Sequence, residues 1–286
     1  MVKQLMISTS VVPKKLRNIP EPPKRLYTMG VVVNELLLRP CVTIVGSRKV
    51  SAYGKAVTAA LAGDLAKAGV LIISGLALGV DSVAHRAALE AGGVTLAVLP
   101  SPLTHIYPRS HTHLAAQMVA QGGALVSEYA DGEPLYPLNF IARNRIASGL
   151  GDVLLITEAA EKSGTLHTAR FALEQGKEVL AVPGNITSST SAGTNNLIKT
   201  GATPVTGVED VLHALGLEPA ITAKQAPKGA TSEEQAVLDL LVAGVSDGAL
   251  LLEQSGLRVT LFNQTLTMLE IRGMVRALGG NQWGLI

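Results

Sequence analysis

One cysteine stands among 286 residues. Cys41 alone excludes an internal disulfide and a cysteine-cluster zinc site, and it fits the reducing cytoplasm expected for this chain. Six histidines fall into no metal-ligand spacing, so no metal is expected. His111 and His113 lie on a polar stretch expected to be exposed. Aromatic residues make up 3%, three Phe, five Tyr and one Trp, which leaves few platforms for stacking. No apolar run reaches the roughly 20 residues of a membrane span, and the amino-terminal stretch lacks the apolar segment of a secretion signal. No membrane partner is expected. Excess charge is scarce as well: the net balance is +2. Residues 1–40 carry seven Lys and Arg against two acids, residues 41–215 twelve against thirteen, and residues 231–286 three against six. The folded parts therefore have no broad basic face, and a nucleic-acid site would have to be a local pocket.

The chain is rich in small and aliphatic residues instead, with 47% hydrophobic residues and 29 glycines. From Cys41 a short apolar run, a Gly/Ser-rich turn and an Ala/Leu-rich helix repeat. The strands read VTIVG (42–46), VLIIS (70–74), VTLAVL (94–99), GALVS (123–127), DVLLIT (152–157) and EVLAVP (178–183). Continuous apolar runs are what parallel strands covered on both faces require. Helices are expected over 57–68, 80–91, 114–121, 143–150 and 165–175. The alternation predicts an α/β fold with a Rossmann-like, doubly wound, mostly parallel sheet over 41–215. Residues 1–40 read as a basic tail and lead-in, and 216–230 as a linker without apolar periodicity. Over 231–286, three short helices (232–242, 246–255, 259–271) and a hairpin about Gly279-Gly280 describe a small winged-helix-like domain, its first helix starting near Ser232.

Ligands of open parallel sheets sit beyond the carboxyl ends of the strands. The first such loop offers Gly46-Ser47-Arg48: close backbone approach, a hydroxyl and a forked cation suited to phosphate. The second runs Ser74-Gly75-Leu76-Ala77-Leu78-Gly79 into a helix, and its small residues are expected to expose amide hydrogens to an anion. The third brings Arg109 to the same edge. The fifth, with Lys162-Ser163-Gly164-Thr165, is again small and hydroxylated before a helix. Several such turns on one rim point to a row of phosphates, hence a nucleotide or polynucleotide. Asp81 reads as a structural acid in a helix's first turn. His85 stands at i+4 from it, placed to donate to it. Cys41 heads a buried strand and reads as packing.

Other functions are disfavoured by what these turns omit. GSRKVSAYG is not G-x-G-x-x-G and no acid ends the second strand, which argues against a dinucleotide-dependent dehydrogenase. The P-loop signature is absent too. No cofactor is expected. A nucleotide hydrolase resembling the LOG-type phosphoribohydrolases is the alternative. That chemistry uses P-G-G-x-G-T-x-x-E, and here Thr168 occupies the place of the acid.

The segments VTIVGSRKVSAYG, SGLALGVDSVAHRAAL, GGALVSEY, F-IARNRIASGL, SGTLHTARFALEQGKEVLAVPGNI and SAGTNNLIKTGA, in unbroken order over about residues 25–215, resemble the DprA/Smf family. The resemblance implies a cytoplasmic, non-enzymatic protein that binds and protects incoming single-stranded DNA in natural transformation, helps load RecA, and works as a homodimer or larger assembly. It implies a pocket built on Arg48, Arg109 and the segment Phe140-Ile141-Ala142-Arg143-Asn144-Arg145. An amino-terminal helical domain of some members is expected to be missing or reduced to a short tail. Ile141 stands where Pro is common, and residues 135–139 hold no cation. The spacing of Arg143 and Arg145 on a helix keeps them from sharing one pocket, so one is expected to meet phosphate and the other an acid such as Glu128 or Asp152. Phe140 could stack on an unpaired base. The carboxy-terminal helices, three cations against six acids, fit a protein contact better than DNA.

Overall fold

The computed structural model describes residues 8–217 and 228–285. They fall into two units divided at Glu218 and Pro219. The first is built on a nine-stranded sheet with order β1-β2-β6-β5-β4-β3-β7-β8-β9. Strands β3 (Cys41–Val45), β4 (Leu71–Ser74), β5 (Thr95–Leu99), β6 (Ala124–Ser127), β7 (Val153–Ile156), β8 (Glu178–Ala181) and β9 (Thr203–Pro204) run parallel. The first six of these coincide with the six predicted runs, β3 starting one residue earlier, at Cys41. Parallel strands need crossovers on both faces, and the burial shows them. On one face Val42, Ile44 and Ile72 pack against Leu61, Leu65, Val80 and Ala84. These last come from α3 (Ala52–Lys67) and α4 (Val80–Glu90). On the other, Cys41, Leu71 and Ile73 meet Ile146 and Leu150 of α6 (Pro137–Leu150). A third cluster seats Leu76 against Leu114 and Met118 of α5 (Thr112–Ala120). Beyond β7 and β8, Ala169 and Ala172 close the core from α7 (Thr165–Glu174).

The lead-in belongs to this unit. Strand β1 (Ser8–Ser10) pairs antiparallel with β2 (Leu26–Gly30), and β2 pairs antiparallel with β6. Between them α1 (Lys14–Arg17) buries Leu16, and α2 (Val33–Leu36) follows β2 and buries Val33 and Leu36. Leu16 and Leu26 join the cluster under α6, and Lys15 reaches Asp152 at 2.6 Å. The basic residues between Lys14 and Arg39 therefore decorate a structured edge rather than a loose tail. Two helices start earlier than their apolar periodicity does. Ser51 caps α3 by accepting from the Gly54 amide. Pro137 opens α6, where a missing amide hydrogen costs nothing. Helix α8 (Ala192–Lys199) was not anticipated from the Ser-Ala-Gly-Thr-Asn stretch that opens it, and α9 (Val208–Ala214) completes the unit.

The second unit contains α10 (Ser232–Val242), α11 (Gly248–Ser255), α12 (Val259–Ile271) and the antiparallel pair β10 (Val275–Gly279) and β11 (Gln282–Leu285). Thr231, one residue before Ser232, is the first cap, and Asp247 caps α11 by accepting from Ala249 and Leu250. Val237, Leu238, Leu251, Phe262, Leu269 and Val275 form its core. Most of the anticipated linker, 218–227, lies outside the described residues.

Candidate nucleic-acid interface

Sheet topology fixes where a ligand can enter. From β3 the chain winds outward through β4, β5 and β6, then crosses back to β7 on the other side of β3. The loops leaving β3 and β7 consequently turn to opposite faces and open a crevice between them. A cleft of about 600 Å³ lies there. The first loop contributes Gly46, Ser47, Arg48 and Lys49, and the second Gly75 and Ala77. Helix α6 supplies Phe140, Ile141, Arg143 and Asn144. Ser163, Gly164, Thr165, His167 and Thr168 close the far side with Thr190. Eleven of the sixteen residues anticipated from the sequence thus meet at one cleft. Ser74, Gly79, Arg109, Arg145 and Lys162 are not part of its lining.

The first loop is rigidly held. The Ser47 amide donates to the Glu158 carbonyl at 2.8 Å, and the Ser47 carbonyl accepts from Val80 at 3.1 Å. The hydroxyl of Ser47 accepts from the Lys49 amide. Below it, the buried Glu158 carboxylate receives both the amide and the hydroxyl of Ser51. The side chain of Arg48, like that of Lys49, is left outward. Its guanidinium carbon stands 5.2 Å from the Phe140 ring centroid, and Tyr107 meets the same ring edge-on, centroids 5.2 Å apart at 76°. Cation over ring and ring against ring are both favourable arrangements. Together they wall a hollow of about 60 Å³ beside the main cleft, lined also by Leu78 and Pro108.

The second loop corrects the expectation of free amides. Asp81, 5% exposed, turns back from the first turn of α4 and accepts from the amides of Gly75 at 3.0 Å and Ala77 at 3.4 Å. Those two donors face inward and are not offered to an anion. Gly79, at φ +79°, is there for packing: a Cβ would run into the Ser47 and Arg48 carbonyls. At Gly75 a Cβ would collide with the Arg143 guanidinium. Ser74 is buried, its hydroxyl donating to the Ile44 carbonyl at 2.6 Å. His85 pairs through Nδ1 with Thr95 at 2.6 Å, not with Asp81, whose carboxylate is turned back to the Gly75 and Ala77 amides. His111 is buried, against expectation, with Nδ1 2.8 Å from the Leu76 carbonyl. The 3-10 turn at Arg109–His111 folds it under the loop and leaves Arg109 exposed.

On α6 the two arginines part as their spacing requires, with a different outcome for one of them. Arg145 pairs with Glu128 through both carboxylate oxygens, at 2.8 and 2.7 Å, while Asp152 is taken by Lys15. Arg143 is 5% exposed and donates to the carbonyls of Gly75 and Val98 and, through Nε, to Asn144 Oδ1 at 3.1 Å. Its hydrogen bonds serve the protein's own backbone, so it forms a positively charged wall of the cleft rather than an outstretched phosphate ligand. Burial raises the pKa of Asp81 and lowers that of Arg143, and each opposes the other's shift. His85, wholly enclosed, is pushed down to about 3 by desolvation.

In the fifth loop the Ser163 hydroxyl receives the Thr165 amide at 3.2 Å. Lys162 is exposed and is not part of the lining. Thr168, at the position where a LOG-type hydrolase would carry its acid, is buried against the cleft. Asp81, the acid among the lining residues, is engaged by amides. Lys49, His167 and Thr190 also face the cleft and were not singled out beforehand. Lys49 follows Arg48 directly and was available as a signal. His167 stands in the first turn of α7, whose start at Thr165 was expected from the sequence, so its place at the rim was available as a signal too.

A family profile described as DNA recombination-mediator protein A matches residues 3–216, and a second, described as DprA winged helix domain, matches residues 221–281. The chain belongs to the DprA/Smf family. Among curated DprA/Smf relatives, Protein Smf of Escherichia coli is 51% identical over 60% of this chain and 46% of its own length. DNA processing protein DprA of Bacillus subtilis is 37% identical over 75% of this chain and 71% of its own. This chain thus spans about half of the first relative and somewhat over two thirds of the second. Among solved structures, DprA of Streptococcus pneumoniae superposes with a TM-score of 0.67 at 36% identity, covering 72% of this chain and 74% of that one. DNA processing protein A of Helicobacter pylori, described for its single-stranded DNA binding mode, gives 0.67 at 35% identity over 74% and 96%. The Rossmann-like sheet and the winged-helix domain are thereby those of a DNA-processing family, and the hydrolase alternative is not favoured.

Proposed function

We propose that the protein binds single-stranded DNA along the cleft between the β3 and β7 loops, without catalysing a reaction on it. The observation that carries this reading is the pairing of an outward cation with an aromatic face: Arg48 lies over Phe140 at the mouth of a crevice rimmed by hydroxyls and small residues. A phosphate can meet the guanidinium while an unpaired base meets ring or hollow, and neither contact depends on base identity. Arg48, Lys49, Asn144, Ser163, Gly164 and Thr165 are the contacts proposed for the backbone, with Phe140 and Tyr107 for bases. Arg109 and Lys162, outside the lining, are left as long-range cations. The Helicobacter pylori relative supports the ligand class. A buried, amide-bound Asp81 and a Thr at position 168 support a binding role over hydrolysis.

On the strength of the family, the protein acts in the bacterial cytoplasm as a homodimer, protecting incoming single strands and helping load RecA onto them. Among the described residues no helix is long and apolar enough to cross a membrane. Anisotropy titration of labelled oligo-dT against duplex of equal length tests the ligand class. Single-strand preference that weakens with salt is expected. Indifference to unpaired strands at low ionic strength would overturn the proposal. Incubation with nucleoside monophosphates should release no free base.

A further inference from the structure

Leu76 has φ +57°, a left-handed backbone rarely adopted by a branched residue. Such a conformation persists where surrounding groups determine it. Three buried side chains from three elements converge on this turn. Asp81 takes the amides on either side, at Gly75 and Ala77. Arg143 donates to the Gly75 carbonyl. His111 donates to the Leu76 carbonyl itself. That carbonyl can only accept, so Nδ1 of His111 carries the proton. The Leu76 side chain is fully buried against Leu114 and Met118, so one short segment, the turn at 109–111 and α5, anchors both its backbone and its side chain. After Leu76 the chain passes to Gly79, which rests on the Ser47 and Arg48 carbonyls, and to Val80, whose amide holds the Ser47 carbonyl at 3.1 Å.

We propose that His111 is a positioning residue for Arg48: by holding the Leu76 carbonyl in its left-handed turn, it fixes the 76–80 segment on which the Ser47-Arg48 backbone leans, although it does not itself line the cleft. The inference deepens the single-strand reading and rests on it. Contiguous packed and hydrogen-bonded elements of this kind carry coupling between positions that never touch. Removing the His111 donor leaves a buried carbonyl unsatisfied, and the turn relaxes away from the first loop. Arg48 then loses its fixed seat over Phe140.

A double-mutant cycle on the full chain, with oligo-dT affinity as readout, tests this at a temperature where every variant gives the native circular dichroism. His111→Leu should weaken binding by between about twofold and thirtyfold. His111→Asn, whose amide occupies the Nδ1 position, should recover most of that loss. In the Arg48→Ala background, His111→Leu should change affinity no further. A purely structural role would leave folded His111→Leu binding as the parent does, or would add its loss in full to that of Arg48→Ala, and either result overturns the inference. Should His111→Leu fail to fold, His111→Gln, with its amide at the Nε2 position, replaces it in the same cycle with the same criteria. If Arg48→Ala itself binds as tightly as the parent, the cleft reading fails first, and the two failures are thereby told apart.

Discussion

Replacing Arg48 by alanine separates charge from every other contribution to the cleft. Among the described residues the Arg48 side chain pairs with no acid, and it meets the Phe140 ring, so truncation removes little but its interaction with ligand. A charge-assisted hydrogen bond is worth about 1.5–3 kcal/mol, and the exposure of Arg48 at the cleft mouth argues for a value around and below the lower end of that range, about 1–2 kcal/mol. At 25 °C this is a loss of roughly fivefold to thirtyfold in affinity. Each phosphate neutralised on a single strand also contributes about 0.7 to the slope of log K against log salt. Anisotropy titrations of labelled oligo-dT at four or five salt concentrations read both quantities at once. The alanine variant should bind more weakly and show a slope shallower by about 0.7. Arg48→Lys should keep the slope and recover part of the affinity, since the charge survives and the planar stacking does not. Weaker binding with an unchanged slope would mean that Arg48 meets no phosphate, and the reasoning from its outward guanidinium would be refuted.

Phe140→Leu should weaken oligo-dT binding by about 1–3 kcal/mol while leaving the salt slope intact, because a stacked base involves no counterion; a changed slope would assign the ring a different role. Stability should depend on pH through His85. In the unfolded chain it takes up a proton as pH falls through about 6.5, whereas in the fold it stays neutral down to about 3. The unfolded state binds more protons across that window, so lowering pH from 6.5 to 5 should cost about 2 kcal/mol through this residue, with native His85 still neutral. Urea midpoints at the two pH values should therefore differ less in His85→Asn, which keeps a donor toward Thr95, and an equal difference would contradict the assignment. Cys41 is fully buried and its thiol is pushed up to about 11 by desolvation. Thiol-specific labelling at pH 8 should accordingly be negligible until denaturant is added.

Much of the architecture was readable because doubly covered parallel strands leave an unmistakable mark. VTIV, LIIS, TLAVL, ALVS, VLLI and EVLA are each inside the apolar run expected for them. The lead-in was harder. LYTMG carries a mixed burial pattern and pairs with residues about a hundred positions away, so nothing local announces its partner. At the cleft, sequence located the turns but not the direction of their polar groups. Gly75 and Ala77 look like anion donors until Asp81 is seen to reach back to them. Arg143 looks like a phosphate ligand until the carbonyls of Gly75 and Val98 are seen within its reach. The composition of 105–113 is polar, yet the turn at Arg109–His111 drives His111 under the loop. For Arg143 and His111 a hydrogen bond to a distant segment decides the outcome, and a linear pattern holds no record of it; for Asp81 the bond is local, but residue types alone do not say which way the carboxylate turns.

The antiparallel cover laid by β2 along β6 bears on how the protein can be divided. A polypeptide trimmed to begin at Cys41 would keep every parallel strand, yet it would lay bare the ladder groups of Ala124–Ser127 that Tyr27–Gly30 now satisfy. It would also strip Leu16, Leu26, Val33 and Leu36 from the apolar surface of α6. An open strand margin beside a greasy patch invites neighbouring molecules to pair and stack. Excision for crystallisation or interaction mapping therefore belongs at the junction after residue 217, never at 41, where insoluble material is the outcome to expect.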